Sequence, residues 1–386
     1  MNKQLEAERD EMSEEILTNF KRALSSFCRY PRLAAAIRER YPNKPPHILA
    51  IGKAAWQMGK VACSALKPKV PLSCVVLCKY GFYPTECDRN YQPQILEAAH
   101  PVPDENSILH SRRIMEWIKS IPSDEELCVL LSGGSSALFE IPASGYDLAA
   151  IRARHSLLLK SGLDIAQINA GRKECSAVKG GKAAKFFSGK SLEVYLLSDV
   201  PENDPSIIGS GPFYRPEISN HHIIGDNQAF LKQLAKHFRR ERPNLPVRVS
   251  PVFIKDEVEV FARGLARYCE HAAPGIYIFG GECTLKVKGL GKGGRLSHLA
   301  LSFLRDMPDC RNAWLCAFAT DGNDNLADSA GALVTNEMRD RICFPGGMDT
   351  ALKDFDSFSC LQSVGGIIPA FYSGCNVNDV MVLRKR

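Results

Sequence analysis

Four glycine-rich turns, each following an apolar run, hold the residues best suited to handling a polyphosphate. They are GKAA at 52–55, SGGSSAL at 132–138, GGECT at 280–284 and GLGKGGR at 289–295. Glycine lets backbone N–H groups approach an anion closely, and a helix starting there adds its positive end. In open α/β sheets ligands bind beyond the carboxyl ends of the strands, where such turns fall. Any one of these turns reads more simply as a left-handed chain reversal. Four together, with Lys53, Lys292 and Arg295 beside them, point to a phosphate-rich ligand. The expected phosphate or nucleotide contacts are Ser132, Gly133, Gly134, Ser135, Ser136, Lys179, Gly280, Gly281, Glu282, Lys292, Gly293 and Gly294. None of the turns reads GxxxxGK[ST], and none gives GxGxxG after the first strand, so neither a P-loop nor a nicotinamide site is favoured.

The acids form a complementary set. Asp199 and Asp204 lie in LSDVPENDP, Asp321 and Asp324 in ATDGNDN, and Asp379 in CNVNDV. Asp199 and Asp321 each close an apolar run. Magnesium carried by ATP takes one or two carboxylates beside phosphate oxygens, so these two are the expected Mg²⁺ ligands, or orient a substrate hydroxyl. Asp204 and Asp324 fit that role and an Asx-turn equally well. The run 169–186 reads as a basic helix with Arg172, Lys173, Lys179, Lys182 and Lys185. Gly180 and Gly181 inside it would cost ~1 kcal/mol each, which argues for a close packing or ligand contact. His100, in AAHPVPD, suits a turn or a substrate contact; His221, His222 and His271 read as surface residues.

These side chains need a scaffold of alternating strands and helices. Met12, Ile16, Phe20, Leu24 and Phe27 repeat at helical spacing within 2–28. HILAIG, SCVVLCK, LCVLL and SLEVYLLSD read as buried strands, with helices over 104–121, 147–162 and 172–187. Ser123 to Glu126 spell a capping box but precede LCVLL, so a turn before a strand is expected. Strands alternating with helices argue for βαβ units and a largely parallel sheet. The polar, basic, proline-ended run 232–245 marks a boundary between domains 1–245 and 246–386.

Composition narrows the function classes. The 386 residues are 45% apolar and 24% charged, with a net charge of +6. That balance is not the footprint of a nucleic-acid binder and suits a small anionic substrate. No run of ~18 apolar residues exists to span a membrane, and the first residues are charged throughout, unlike a signal peptide. The 14 cysteines sit largely inside apolar runs and form no CxxC pair, so reduced thiols and a cytoplasmic location are expected. A homo-oligomer is left open.

Ordered segments across residues 45–384 resemble the class II glycerate kinases, whose C-terminal domain is labelled MOFRL. They are IGKAAWQMGKVA, HPVPDENS, LSGGSSALFEIP, RKECSAVKGGKAA, LLSDVPENDPSIIGSGP, GGECTLKVKGLGKGGR, ATDGNDNLADSAGALV and CNVNDV. The resemblance implies a Rossmann-like N-terminal domain, a smaller α/β C-terminal domain and a cleft site between them. It implies ATP- and Mg²⁺-dependent phosphorylation of the 2-hydroxyl of D-glycerate, with Lys53 of the GKAA motif and Arg295 of the GKGGR motif as key residues. Asp199 joins them as the third catalytic candidate, and His100, Arg172, Asp321 and Asp324 as substrate contacts. The alternatives carried with it are a kinase for another 2-hydroxy sugar acid, a weakly active binding or regulatory paralogue, and a hydroxypyruvate reductase. Arg295-Leu296-Ser297-His298 stands where the family usually reads RNQE. With the acid gone, the arginine fork must be held by another acid or be looser, and His298 is expected either on the Arg295 face or in solvent.

Overall fold

A computed structural model of the chain describes residues 2–66, 72–84, 91–160, 165–217, 220–307, 313–324 and 328–386. The chain opens with α1 (Asn2–Phe27) and then divides into two compact units. Cys28–Asp226 and Gly374–Val377 form the first; Met1–Phe27, Asn227–Ser373 and Asn378–Arg386 form the second.

The first unit runs α2 (Pro31–Arg40), β1 (His47–Ile51), α3 (Ala55–Leu66), β2 (Cys74–Lys79), β3 (Gln94–Ala98), α4 (Glu105–Ser120), β4 (Glu126–Leu131), the single turn α5 (Ser135–Leu138), α6 (Leu148–Lys160), α7 (Ile165–Glu174), β5 (Ser191–Leu197) and β6 (His221–Gly225). Its strand order is β3-β2-β1-β4-β5-β6, every pair parallel. This is the doubly wound, Rossmann-like order, with its switch point between β1 and β4. After their first residues, His47 and Glu126, those central strands are apolar and buried because both faces are covered. The turns after β1 and β4 therefore open at the switch point. Asp104 caps α4, accepting from Ser107 N at 2.8 Å, and β4 starts at Glu126, as the turn reading of 123–126 requires. The helix expected over 147–162 is α6; its last two positions fall outside the described residues.

The second unit adds α8 (Asn227–Glu241), β7 (Val247–Ile254), α9 (Val258–His271), β8 (Gly275–Gly281), α10 (Arg295–Asp306), β9 (Ala313–Ala319), β10 (Ser329–Thr335), α11 (Gly347–Lys353), α12 (Ser357–Gln362), β11 (Ile367–Pro369) and β12 (Asp379–Lys385). Its order is β11-β10-β9-β12-β8-β7. Only β7–β8 is parallel; the other pairs are antiparallel. The last strand, β12, slots between β9 and β8, so helix–strand alternation does not make this sheet parallel.

The boundary expected at 245 falls instead at Asp226/Asn227. α8 packs on α1, with Phe20 against Phe230 at 6.0 Å, and Glu15 of α1 pairs with Arg242 and Arg384 at 2.9 and 2.8 Å. The basic run therefore ends a helix inside the second unit. The helix expected over 172–187 is also broken: α7 stops at Glu174, and Gly180 and Gly181 take φ of +63° and +78°. Gly180 N bonds Ser210 O at 2.9 Å and Gly181 N bonds Gly211 O at 2.8 Å, so these glycines dock one loop on another. Every cysteine among the described residues is a free thiol, buried except for Cys343. No helix among the described residues is long and apolar enough to cross a membrane.

Candidate active site

In the first unit the turns after β1 and β4 are laced together. Lys53 N donates to Gly133 O at 3.0 Å, and Ala54 N donates to the buried Ser132 Oγ at 3.0 Å. Ser132 thus holds one turn on the other. Gly133 lies against Asp199 and Asn376: a Cβ there would stand 2.5 Å from Asp199 Cγ and nearer still to Asp199 Oδ2 and Asn376 Nδ2. Asn376 Nδ2 donates to Asp199 Oδ2 at 3.3 Å. Gly134, at φ +88°, lies against Lys53 and His100; a Cβ there would stand 3.1 Å from Lys53 Cγ and 3.2 Å from His100 Cδ2. Two adjacent glycines thus bring together a lysine, an imidazole, a carboxylate and an amide. Ser136 Oγ meets Ser210 Oγ at 2.9 Å, while the buried Ser135 Oγ has no hydrogen-bond partner among the described residues.

Burial first, and then the charges of Lys53, Lys79 and Arg172, hold the His100 imidazole well below its ordinary pKa. His100 is neutral near pH 7 and surrounded by cations, a setting for an anion. Lys79, at the carboxyl end of β2, and Asn376 were not among the expected site residues. Lys79 closes an apolar strand just as Lys53 follows one; no sequence feature pairs Asn376 with Asp199.

Lys179 sits elsewhere than expected. It is 0% exposed and ion-paired with Glu140, also 0% exposed. An ammonium so placed is not presented to a phosphate. Asp204 Oδ1 accepts from Ser206 N at 2.8 Å, the Asx-turn of its two readings.

In the second unit Arg295 opens α10. Its Nε and Nη2 donate to Asp379 Oδ2 and Oδ1 at 2.6 and 3.1 Å, and its Nη1 to Glu282 Oε1 at 2.8 Å. Burial works against its charge, but Asp379 and Glu282 outweigh it and hold the guanidinium protonated. Burial pushes Asp379 up to about 6, with Arg295 opposing and Glu282 and Asp321 adding to the rise. The bidentate fork keeps it a carboxylate at neutral pH. Asp321, buried, accepts from Asn323 N at 3.0 Å. The CNVND segment gives Asn376 to the first cluster and Asp379 to the second.

Several expected ligands here are structural. Gly280 and Gly281 lie inside β8, paired with Val380 and Asp379, not in a turn; the Cβ positions are taken by Asn227 and Ile254. Gly293 packs on Phe355 and Ser357, and Gly294 on Asp324. Asp324 accepts from Leu296 N at 2.9 Å and Ser297 N at 3.0 Å, capping α10; burial raises its pKa to about 7. Lys292 is exposed and pairs with Asp328 at 2.7 Å. His298 is neither beside the arginine fork nor in solvent: it is 1% exposed, stacked on Phe355 at 5.2 Å and 3.6 Å from Glu259. The other acid that the arginine needs is supplied twice, by Asp379 and Glu282.

Residues 15–236 match the family described as "Domain of unknown function (DUF4147)", and residues 275–379 match the MOFRL family. A D-glycerate 2-kinase of Thermotoga maritima is 32% identical, the match covering 87% of this chain and 89% of that one. A glycerate 2-kinase of Pyrococcus horikoshii is 30% identical over 87% of this chain and 86% of its own. The crystal structure of a Thermotoga maritima glycerate kinase superposes with a TM-score of 0.79 at 29% identity, covering 98% of this chain and 100% of that one.

Proposed function

The chain belongs to the glycerate 2-kinase family and is an enzyme of that class, and on this premise we propose that it transfers the γ-phosphoryl group of ATP to the 2-hydroxyl of D-glycerate. The products are 2-phosphoglycerate and ADP. The observation that carries the reading is the meeting of Lys53, His100, Asp199 and Asn376 at Gly133 and Gly134. Phosphoryl transfer asks a protein mainly for positioning and for neutralising spread-out negative charge.

Lys53 meets the transferring phosphoryl as a point charge. His100, neutral, hydrogen-bonds without adding charge. Asp199, aligned by Asn376, orients the attacking hydroxyl and accepts its proton. In the second unit three of the five N–H groups of Arg295 are engaged by Asp379 and Glu282 among the described residues, and the other two are left to take an anionic group. Magnesium bound with ATP would neutralise phosphate charge. Among the described residues no cluster of three ligating side chains exists, but a nucleotide-borne magnesium needs only one or two carboxylates, and Asp199 in the first unit and Asp321 in the second are each a carboxylate that would serve. The buried free thiols suit a reducing compartment such as the cytoplasm.

The test is a coupled assay of the purified chain for 2-phosphoglycerate, run beside an NADH-oxidation assay on hydroxypyruvate. ADP release that depends on D-glycerate, and falls at least ~100-fold in Lys53→Ala with the fold intact, is the expected result. NADH oxidation without ADP release would replace the kinase by a reductase.

A further inference from the structure

Asp324 is 2% exposed, and both of its carboxylate oxygens face the backbone of α10: Oδ1 accepts from Leu296 N at 2.9 Å and Oδ2 from Ser297 N at 3.0 Å. Satisfying a helix end does not by itself call for such a group. A serine, threonine, asparagine or aspartate at the N-cap position does so from within the chain, whereas burying a carboxylate is costly. Here the N-cap is Gly294, and the acid comes from 28 residues beyond Leu296. Gly294 is what admits it, since a Cβ there would collide with the carbonyl and carboxylate of Asp324. Local capping is present as well, with Gly294 N donating to Ser297 Oγ at 2.9 Å. A local cap ends a helix without placing it. A cap from another element also fixes where the helix starts.

What is placed in this way is Arg295, which lies between Gly294 and the two capped N–H groups. Asp324 is itself anchored: its N donates to Ser329 O at 2.7 Å, and the turn before it is closed by Gly322 N on Ala319 O at 3.0 Å. Ala319 and Gly281 are the register partners of Asp379. The adjoining ends of β8, β12 and β9 therefore carry Glu282, Asp379 and Asp324 on one framework. Arg295 reaches onto that framework, with its fork on Asp379 at 2.6 and 3.1 Å and Nη1 on Glu282 at 2.8 Å. A shift of the start of α10 would change those contacts and the aim of the two N–H groups they leave over.

We propose that Asp324 is a positioning residue for Arg295: by holding the Leu296 and Ser297 N–H groups it fixes the start of α10, so that the guanidinium rests on Asp379 and Glu282 and presents its remaining N–H groups to an anionic group. The identity of that group rests on the kinase reading; the positioning rests on the hydrogen bonds alone. Asp324 acts through the helix and not on the substrate, because it is buried with both oxygens turned to the backbone of α10.

Two variants release the helix in different ways. Asp324→Asn leaves one acceptor for two N–H groups at similar volume. Gly294→Ala keeps every charge and pushes α10 off Asp324. Ser297→Ala is the control: it removes the Oγ bond to Gly294 N and lowers stability, but leaves both N–H groups on Asp324. In buffer above the Asp324 pKa of about 7, the first two should lower D-glycerate kcat/KM about 100-fold, as a misplacement of ~1 Å does, while Ser297→Ala stays within about twofold of the parent. The Arg295 Nε–H signal in a ¹H–¹⁵N spectrum, assigned with Arg295→Lys, should move in Asp324→Asn and in Gly294→Ala and hold in Ser297→Ala. That signal needs no substrate, so it judges the positioning even if the parent fails to phosphorylate D-glycerate. An unmoved signal in Gly294→Ala, where no charge has changed, overturns the positioning, and so does a signal that moves as far in Ser297→Ala. A signal moved only in the two releasing variants, with parental kcat/KM, overturns the part that this placement of Arg295 plays in the reaction.

Discussion

A single methyl group at Gly133 should separate catalysis from folding. In Gly133→Ala the new Cβ would stand 2.5 Å from Asp199 Cγ, where about 3.0 Å is the least that real Cβ atoms tolerate, and it presses harder on Asp199 Oδ2 and Asn376 Nδ2. The shortfall is at least 3.0 − 2.5 = 0.5 Å at the carbon. Asp199 and Asn376 hydrogen-bond each other, so they must retreat together, by something on the order of 1 Å. A misplacement of that size costs roughly 100-fold in rate. The strain itself is an overpacking of ~1–3 kcal/mol, which lowers Tm by several degrees and leaves the chain folded. The assay is kcat/KM for D-glycerate by the 2-phosphoglycerate couple, with Tm on the same sample. Gly264→Ala, on α9 with nothing within 4 Å of its Cβ, is the control and should leave kcat/KM unchanged. Asp199→Ala made in the Gly133→Ala background should cost far less than in the parent, because the carboxylate is already displaced. A folded Gly133→Ala enzyme within threefold of parental kcat/KM would refute the assignment of Asp199 to the reacting centre.

Two further outcomes follow from buried groups. Asp324 has a folded pKa of about 7 against an ordinary 3.8, so the folded state binds its proton more tightly than the unfolded state does. Its contribution to stability is therefore greatest in acid and is lost as pH rises from about 4 to about 7, at a rate of at most ~1.4 kcal/mol per pH unit. Asp324→Asn should remove that slope in denaturant titrations across the same range, and a parallel pH dependence of variant and parent would contradict it. His298→Phe should keep the stack on Phe355 and hold or raise Tm with unchanged kinetics, whereas His298→Glu, a buried acid beside Glu259, should unfold several degrees lower without any gain in D-glycerate KM.

The four inner strands of the first sheet, β2, β1, β4 and β5, were legible in the sequence because they are largely buried and read as apolar runs; the edge strands β3 and β6, half exposed and partly polar, were not. The second sheet was not. Its order depends on β12, whose sequence DVMVLRK says nothing of the two partners between which it inserts. The boundary was misplaced for a related reason: composition at 232–245 records a solvent-facing helix end, whereas the division follows what α8 packs against, and that is α1 from the opposite end of the chain.

The glycines show why the site was only half legible. A glycine in a turn states that a side chain has no room, not what occupies the room. At Gly133 and Gly134 the occupants are Asp199, Asn376, Lys53 and His100, polar groups aimed at one place. At Gly280, Gly281, Gly293 and Gly294 they are Asn227, Ile254, Ser357 and the Asp324 cap, and the backbone is committed to a strand ladder or to the start of α10. The same motif type therefore serves ligand approach in one unit and tight packing in the other. Lysines divide the same way: Lys53 stands at a strand's carboxyl end beside His100, while Lys179, equally basic in sequence, is spent inside the protein on Glu140. Reading a glycine turn as a site thus requires a second fact, namely that the group filling the missing Cβ is itself able to take part in the chemistry.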